Sequence, residues 1–175
     1  MYNKYNDISM NELKDAYEDR INSIIKSLEN KIVVFDFDGT LTELKYDSNR
    51  LLPCNQNDIE DYSIKHNTIY NRLRVLKTMQ YIMARLSSKN IYVLTTTTPS
   101  LIRGKQIAIM DNFPNIEYDN VIHVFKDDVK VAELEKIVKN HCKEVVYIDD
   151  NLYTLLKVEE TLEHVTGIHI SSLIA

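Results

Sequence analysis

Apolar residues in this chain recur with two periods, and the period switches repeatedly along its length. Leu13, Tyr17, Ile21, Ile24 and Leu28 follow one another at intervals of three or four. That spacing predicts an amphipathic helix over residues 10–29, and Ser9 with Glu12 fits a capping box at its start. Core packing on the outside of the domain is the common fate of such a stripe, with dimerisation as the alternative. Residues 31–38 (KIVVFDFD) begin as a near-continuous apolar run, as expected of a strand buried on both faces in a parallel sheet. Residues 43–65 are polar and irregular, with Pro53 and several Asn, and read as a long loop over one end of the sheet. Long loops of this kind often serve as lids, and residues 49–65 are the expected flap.

The helical period returns in Ile69, Leu73, Leu76, Met83 and Leu86, which predicts a second helix ending near residues 89–90. A second strand, 91–94, is closed by Thr95, Thr96, Thr97, Thr98 and Pro99, and Pro99 suits the first turn of a helix over about 100–110. Residues 121–125 form a third strand candidate. Asp127 or Asp128 can cap the next helix, whose stripe is Val131, Leu134, Ile137 and Val138. A fourth strand, 145–148, again runs into two aspartates, Asp149 and Asp150, and a helix (152–162) and a strand (165–170) complete the pattern. Strands alternating with helices predict an α/β fold, a three-layer Rossmann-like core around a parallel sheet of about five strands. Residues 1–175 read as one domain, with 1–30 as a helical extension and 43–65 as the flap or lid.

Composition narrows the function classes. A chain of 175 residues, 44% hydrophobic and 27% charged, is ordinary for a globular protein, and three Gly with three Pro leave little room for linkers. The polar N-terminus argues against a secretory signal, and no apolar run approaches a membrane span. Cys54 and Cys142 lack a CxxC pattern, so reduced thiols and a cytoplasmic protein are expected; His141 beside Cys142 reads as a surface histidine next to a core cysteine. A net charge of −5 argues against general nucleic-acid binding. Charge is nevertheless segregated. No Asp or Glu lies between Tyr62 and Met110, whereas Lys65, Arg72, Arg74, Lys77, Arg85, Lys89, Arg103 and Lys105 do. That run is either a solvated helix face or a positive rim for a phosphorylated substrate.

Ligands of open α/β sheets bind beyond the carboxyl ends of the strands. That edge carries Asp36 and Asp38, then Thr95, then Asp149 and Asp150, with Lys126 and Lys130 between the third strand and its helix. Clustered carboxylates repel one another unless a cation and a lysine offset them. Oxygen ligands without Cys or His point to Mg2+, which retains waters and accepts phosphate oxygens. On a regular strand Asp36 and Asp38 would share a face, and a turn at Gly39 would move the second off that line.

These residues carry a resemblance. Asp36-Phe37-Asp38-Gly39-Thr40 resembles the DxDGT signature of the haloacid dehalogenase-like (HAD) hydrolase superfamily. The strand ending in Thr95 resembles its second motif, Lys130 or Lys126 the third, and residues 145–150 the fourth in its paired-aspartate form. The resemblance implies that Asp36 is a nucleophile forming an aspartyl-phosphate and that Asp38 is the general acid and then base. An acid at that position favours phosphate esters over dehalogenation. It further implies that Thr95 (with Thr96, Thr97 and Thr98 crowding the same motif) and Lys130 stabilise the phosphoryl group. Asp36, the Asp38 carbonyl and Asp149 would hold Mg2+, assisted by Asp150. The histidines His66, His123, His164 and His169 receive no role.

Little room remains for the cap domain that many family members insert. A capless or minimally capped phosphatase is therefore expected, its phosphorylated substrate unidentified: an open site suits a large substrate or needs a neighbouring subunit of a homo-oligomer as lid, and a small phosphomonoester is the alternative. The alternatives are a phosphotransferase or phosphomutase, and a non-catalytic HAD-like binding module. A two-component receiver domain is excluded by the order of its Asp, Thr and Lys, and P-loop chemistry by the absence of GxxxxGK[ST].

Overall fold

The computed structural model describes residues 10–43, 45–47, 50–51, 70 and 73–174. In chain order the elements are α1 (Met10–Leu28), β1 (Ile32–Phe35), a small antiparallel pair β2 (Lys45–Asp47) and β3 (Arg50–Leu51), and α2 (Lys77–Met83). There follow β4 (Ile91–Thr96), α3 (Ile102–Asn112), β5 (Val121–Val124), α4 (Asp128–Asn140), β6 (Val145–Asp149), α5 (Leu152–Thr161), β7 (Val165–His169) and α6 (Ser171–Ile174). The five long strands form one parallel sheet in the order β5-β4-β1-β6-β7.

Alternation along the buried strands builds two separate cores. Val33 and Phe35 face one way, against Ile21, Ile25 and Leu28 of α1, Met79, Ile82 and Met83 of α2, and Ala108 and Ile109 of α3. Ile32 and Val34 face the other way, against Leu134 and Ile137 of α4 and Leu155 and Val158 of α5. The four side chains of β1 are all fully buried, each worth roughly 1.5–3 kcal/mol relative to exposure. The result is three layers, helix-sheet-helix, as the period pattern predicts. The chain moves outward from β1 through β4 to β5, then crosses back to β6 on the other side of β1. The carboxyl end of β1 therefore lies at the switch point where such folds open a crevice.

Several expectations shift. The stripe Ile69-Leu73-Leu76-Met83-Leu86 is not one helix: α2 starts only at Lys77, and Ile69 lies outside the described residues. Residues 73–76 are extended because Glu43 N–H binds the Arg74 carbonyl (2.7 Å), Leu76 N–H binds the Leu41 carbonyl (3.0 Å), and Thr42 bridges Val75. Helix α3 starts two residues later than expected, and Pro99 belongs to the turn before it. Asp127 occupies the N-cap position of α4 with helical torsions, and its side chain makes no cap bond. Cys142 is exposed, whereas His141 is half-buried and hydrogen-bonds the Tyr92 hydroxyl at 2.9 Å, the reverse of the expected pairing.

The β2–β3 hairpin lies within the expected flap; Asn49, Cys54 and the remainder, with Ser9, Lys65, His66 and Arg72, fall outside the described residues. Between β4 and β5 stand only α3 and a short 3-10 turn, Tyr118–Asn120. No helix among the described residues is long and apolar enough to cross a membrane.

Candidate active site

The site begins where β1 runs out. Asp36 continues the ladder with one bond, its N–H to the Ile148 carbonyl at 2.8 Å, and the chain then turns. The Phe37 carbonyl accepts the N–H groups of Leu41 (3.0 Å) and Thr42 (3.2 Å) and the Thr42 hydroxyl (3.2 Å), closing the turn. Gly39 takes φ +81°, a left-handed torsion that only glycine adopts without strain. A Cβ there would lie 2.3 Å from Asp150 Oδ2, so the glycine also makes room for that carboxylate. Gly39→Ala should therefore cost about 1–2 kcal/mol of stability from torsion alone and displace Asp150. Thermal melting and cation affinity of the variant check both.

This turn separates the two aspartates that a regular strand would hold on one face. Lys130, from the first turn of α4, bridges Asp36 Oδ1 (2.9 Å) and Asp149 Oδ2 (3.0 Å) and lies 3.8 Å from Asp127 Oδ1. Lys105, from the opposite layer, donates to Asp38 Oδ2 (2.5 Å), the Thr96 carbonyl (2.6 Å) and Thr95 Oγ1 (3.0 Å). Asp36 and Asp38 thus have different lysines, supplied from different sides of the sheet. Lys126 is exposed.

At the end of β6, Asp149 accepts from three donors. Lys130 and the Tyr147 hydroxyl both donate to Oδ2, and Asn151 N–H donates to Oδ1 at 2.8 Å. Asn151 also caps α5, accepting from the Tyr153 and Thr154 amides at 3.0 and 3.3 Å. His169 fixes the next residue: its Nε2 binds the Asp150 carbonyl at 2.9 Å and its Nδ1 faces the Ser171 hydroxyl at 2.7 Å.

Burial decides the electrostatics. It pushes Asp36 from the ordinary aspartate value of 3.8 up to about 7; Lys130 opposes the shift, and Asp149 and Asp38 add to it. Asp150 rises to about 6, first through burial and then through Asp149. Burial also disfavours the charge on Lys130, but Asp36, Tyr147 and Asp149 more than offset it and hold the ammonium well above the usual lysine range. The Tyr147 phenol is likewise raised, mainly by burial, so it remains a donor. Oxygens of Asp36, Asp149 and Asp150 come within 4.8 Å of one another. With Asp38 beside them, four carboxylates face two ammonium groups. That deficit of positive charge, and the all-oxygen donor set, fit a hard divalent cation.

All six residues singled out in the sequence therefore stand at this edge: Asp36, Asp38, Thr95, Lys130, Asp149 and Asp150. Of the neighbouring threonines, Thr96 turns its hydroxyl to Asp127 and Thr97 is buried with its hydroxyl 3.5 Å from the Thr98 carbonyl. Lys105, Tyr147, Asn151 and His169 were missed. Lys105 had been grouped with a charge run, yet it lies on the buried stripe of α3 with Ala108 and Ile109, where an apolar residue is expected. Tyr147 sits two residues before Asp149 on the same strand, so alternation brings the two to one face. Members of the positive run stand in several settings, and Arg103 is exposed in the first turn of α3. Lys105 is buried, Arg74 lies 3.9 Å from Glu43, Arg85 covers the Tyr81 ring, and Lys89 precedes β4, at the edge away from the site.

No protein-family model matches this chain, and no curated protein matches it.

Proposed function

We propose that this protein is a Mg2+-dependent phosphatase of the HAD type, hydrolysing phosphomonoesters through an aspartyl-phosphate on Asp36. One observation carries the reading: a buried carboxylate, Asp36, is bridged by Lys130 to Asp149 and flanked by Asp150, while Asp38 is held from the other side of the sheet. A scaffold has no need of that arrangement, and isolated buried charges are costly.

In the proposed reaction an oxygen of Asp36 attacks phosphorus and the bond to the leaving oxygen breaks, its electron pair going to that oxygen. Asp38, acting as general acid, supplies the proton the leaving oxygen takes up. Water then attacks phosphorus and gives a proton back to Asp38, and the bond between phosphorus and Asp36 breaks, regenerating the carboxylate and releasing phosphate. Lys130 offsets charge at Asp36 throughout, and the Thr95 hydroxyl is available to the phosphoryl oxygens. Asp36, Asp149, Asp150 and the Asp38 carbonyl are the ligands suited to Mg2+, and three donors fix the Asp149 carboxylate. Mg2+ bound there would neutralise the phosphate and orient it toward Asp36.

The purified protein should release phosphate from a generic aryl phosphate in the presence of Mg2+ and lose at least about 100-fold of that rate in chelator. A panel of phosphometabolites and phosphopeptides then ranks substrates. Absence of release from every ester, with Mg2+ present, would remove the proposal.

A further inference from the structure

We propose that Lys105 is a positioning residue of this site: its ammonium fixes the Asp38 side chain, the group that exchanges the proton with leaving group and water, and the Thr95 hydroxyl. The inference rests on the phosphatase reading and adds a residue that the motif resemblance does not supply.

Lys105 is only 1% exposed, on a helix position flanked by apolar core residues. A lysine carries three N–H donors, and here each has an acceptor within the site: Asp38 Oδ2, Thr95 Oγ1 and the Thr96 carbonyl. Burying an ammonium is unfavourable unless such partners are in place, so the fold alone does not account for it. The three acceptors come from two different segments, the turn after β1 and the end of β4. One nitrogen therefore sets the distance between the proton-transfer group and the phosphoryl-binding hydroxyl. Because Thr95 Oγ1 accepts from Lys105, its own O–H must point away from that nitrogen, which leaves it to donate to an anion at the strand ends.

The surroundings reinforce the geometry. His123, level with Thr95 on β5, is lowered to about 4 by burial and by Lys105. It hydrogen-bonds Gln106 at 2.7 Å behind the lysine. The Tyr70 ring packs on Phe37, with centroids 6.5 Å apart, and lies so close over Gly104 that a Cβ there would meet it at 3.1 Å. Burial and the nearby Asp38 both raise the Tyr70 phenol. Tyr70 and Lys105 thus both act on the electrostatics or hydrogen bonding of the Asp38 side chain.

The test exploits leaving-group chemistry. A good aryl leaving group departs with little help from an acid, whereas an alkoxide needs the proton. Lys105→Met should therefore lower kcat for an alkyl phosphate at least about 10-fold more than for p-nitrophenyl phosphate. In an Asp38→Asn background the same substitution should add little to the alkyl defect, because the group it positions is already gone. Should Lys105→Met fail to fold, Lys105→Arg keeps the buried charge but displaces the nitrogen, and the same selective loss is expected. Equal losses on both esters, or an additive double variant, overturn the role of Lys105 while leaving the phosphatase reading intact. A wild-type protein inactive on both esters would instead bring down that reading and this one together.

Discussion

Asp36→Asn is expected to reduce phosphate release from an aryl phosphate by about 10⁴-fold or more while leaving the fold in place. The amide occupies nearly the same volume, still accepts a hydrogen bond from Lys130, and leaves Lys130 paired with Asp149 at 3.0 Å. Its neutral amide oxygen is a far weaker nucleophile toward phosphorus than a carboxylate oxygen. The same substitution should stabilise the metal-free protein. Burial drives the Asp36 carboxyl up to about 7, so its ionised form is a cost to the fold above that pH, and an amide carries no such cost. Loss of activity with a gain in melting temperature is the signature of a residue held against its own preference for function. Undiminished turnover in the variant would remove Asp36 from the mechanism.

A second large effect concerns pH and metal. Asp36 and Asp150 both titrate higher in the folded protein, at about 7 and about 6, than the ordinary 3.8. Between those limits the folded state binds more protons than the unfolded one. Stability from these groups is therefore fully present at low pH and lost as pH rises through 6 and then 7. Chelator-treated protein should melt at least about 5 °C lower at pH 8 than at pH 5, an amount a few kcal/mol would produce in a chain of this size. Mg2+ should restore most of the difference at pH 8 and little at pH 5, because a cation that prefers the ionised cluster stabilises it only where it is ionised. Asp150→Asn should remove the part of the profile near pH 6, leave the part due to Asp36, and weaken the Mg2+ effect. A flat profile in the wild type with no response to Mg2+ would mean that the three carboxylates do not form a cation site.

How much of this was legible in the sequence depended on whether a signal was local. The runs Ile32 to Phe35 and Val145 to Ile148 announce strands because apolar residues on both parities require burial on both faces, and each is buried as expected. Asp36, Asp38, Asp149 and Asp150 were readable because ionisable residues at the ends of such runs have no packing reason to be there. Residues 73–76 were misread because Leu73 and Leu76 at helical spacing are also compatible with extended backbone, and the choice is made by Leu41 and Thr42, some thirty residues away. Asp127 resembled a cap by position, but Thr96 and Lys130 supply partners its backbone neighbours do not. Lys105 was hidden for a similar reason. In a chain segment without acids it looked like one more surface cation, and its acceptors belong to segments that only the fold brings within reach.

The most direct test of the central claim is to quench the Asp38→Asn variant in acid after mixing with p-nitrophenyl phosphate, whose leaving group needs no acid, and Mg2+, then map the peptides by mass spectrometry. Without the base that activates water, the intermediate should accumulate, and a phosphoryl adduct is expected on Asp36 and on no other carboxylate. Sustained turnover by the wild type, with no adduct trapped in either protein, would contradict covalent catalysis through Asp36.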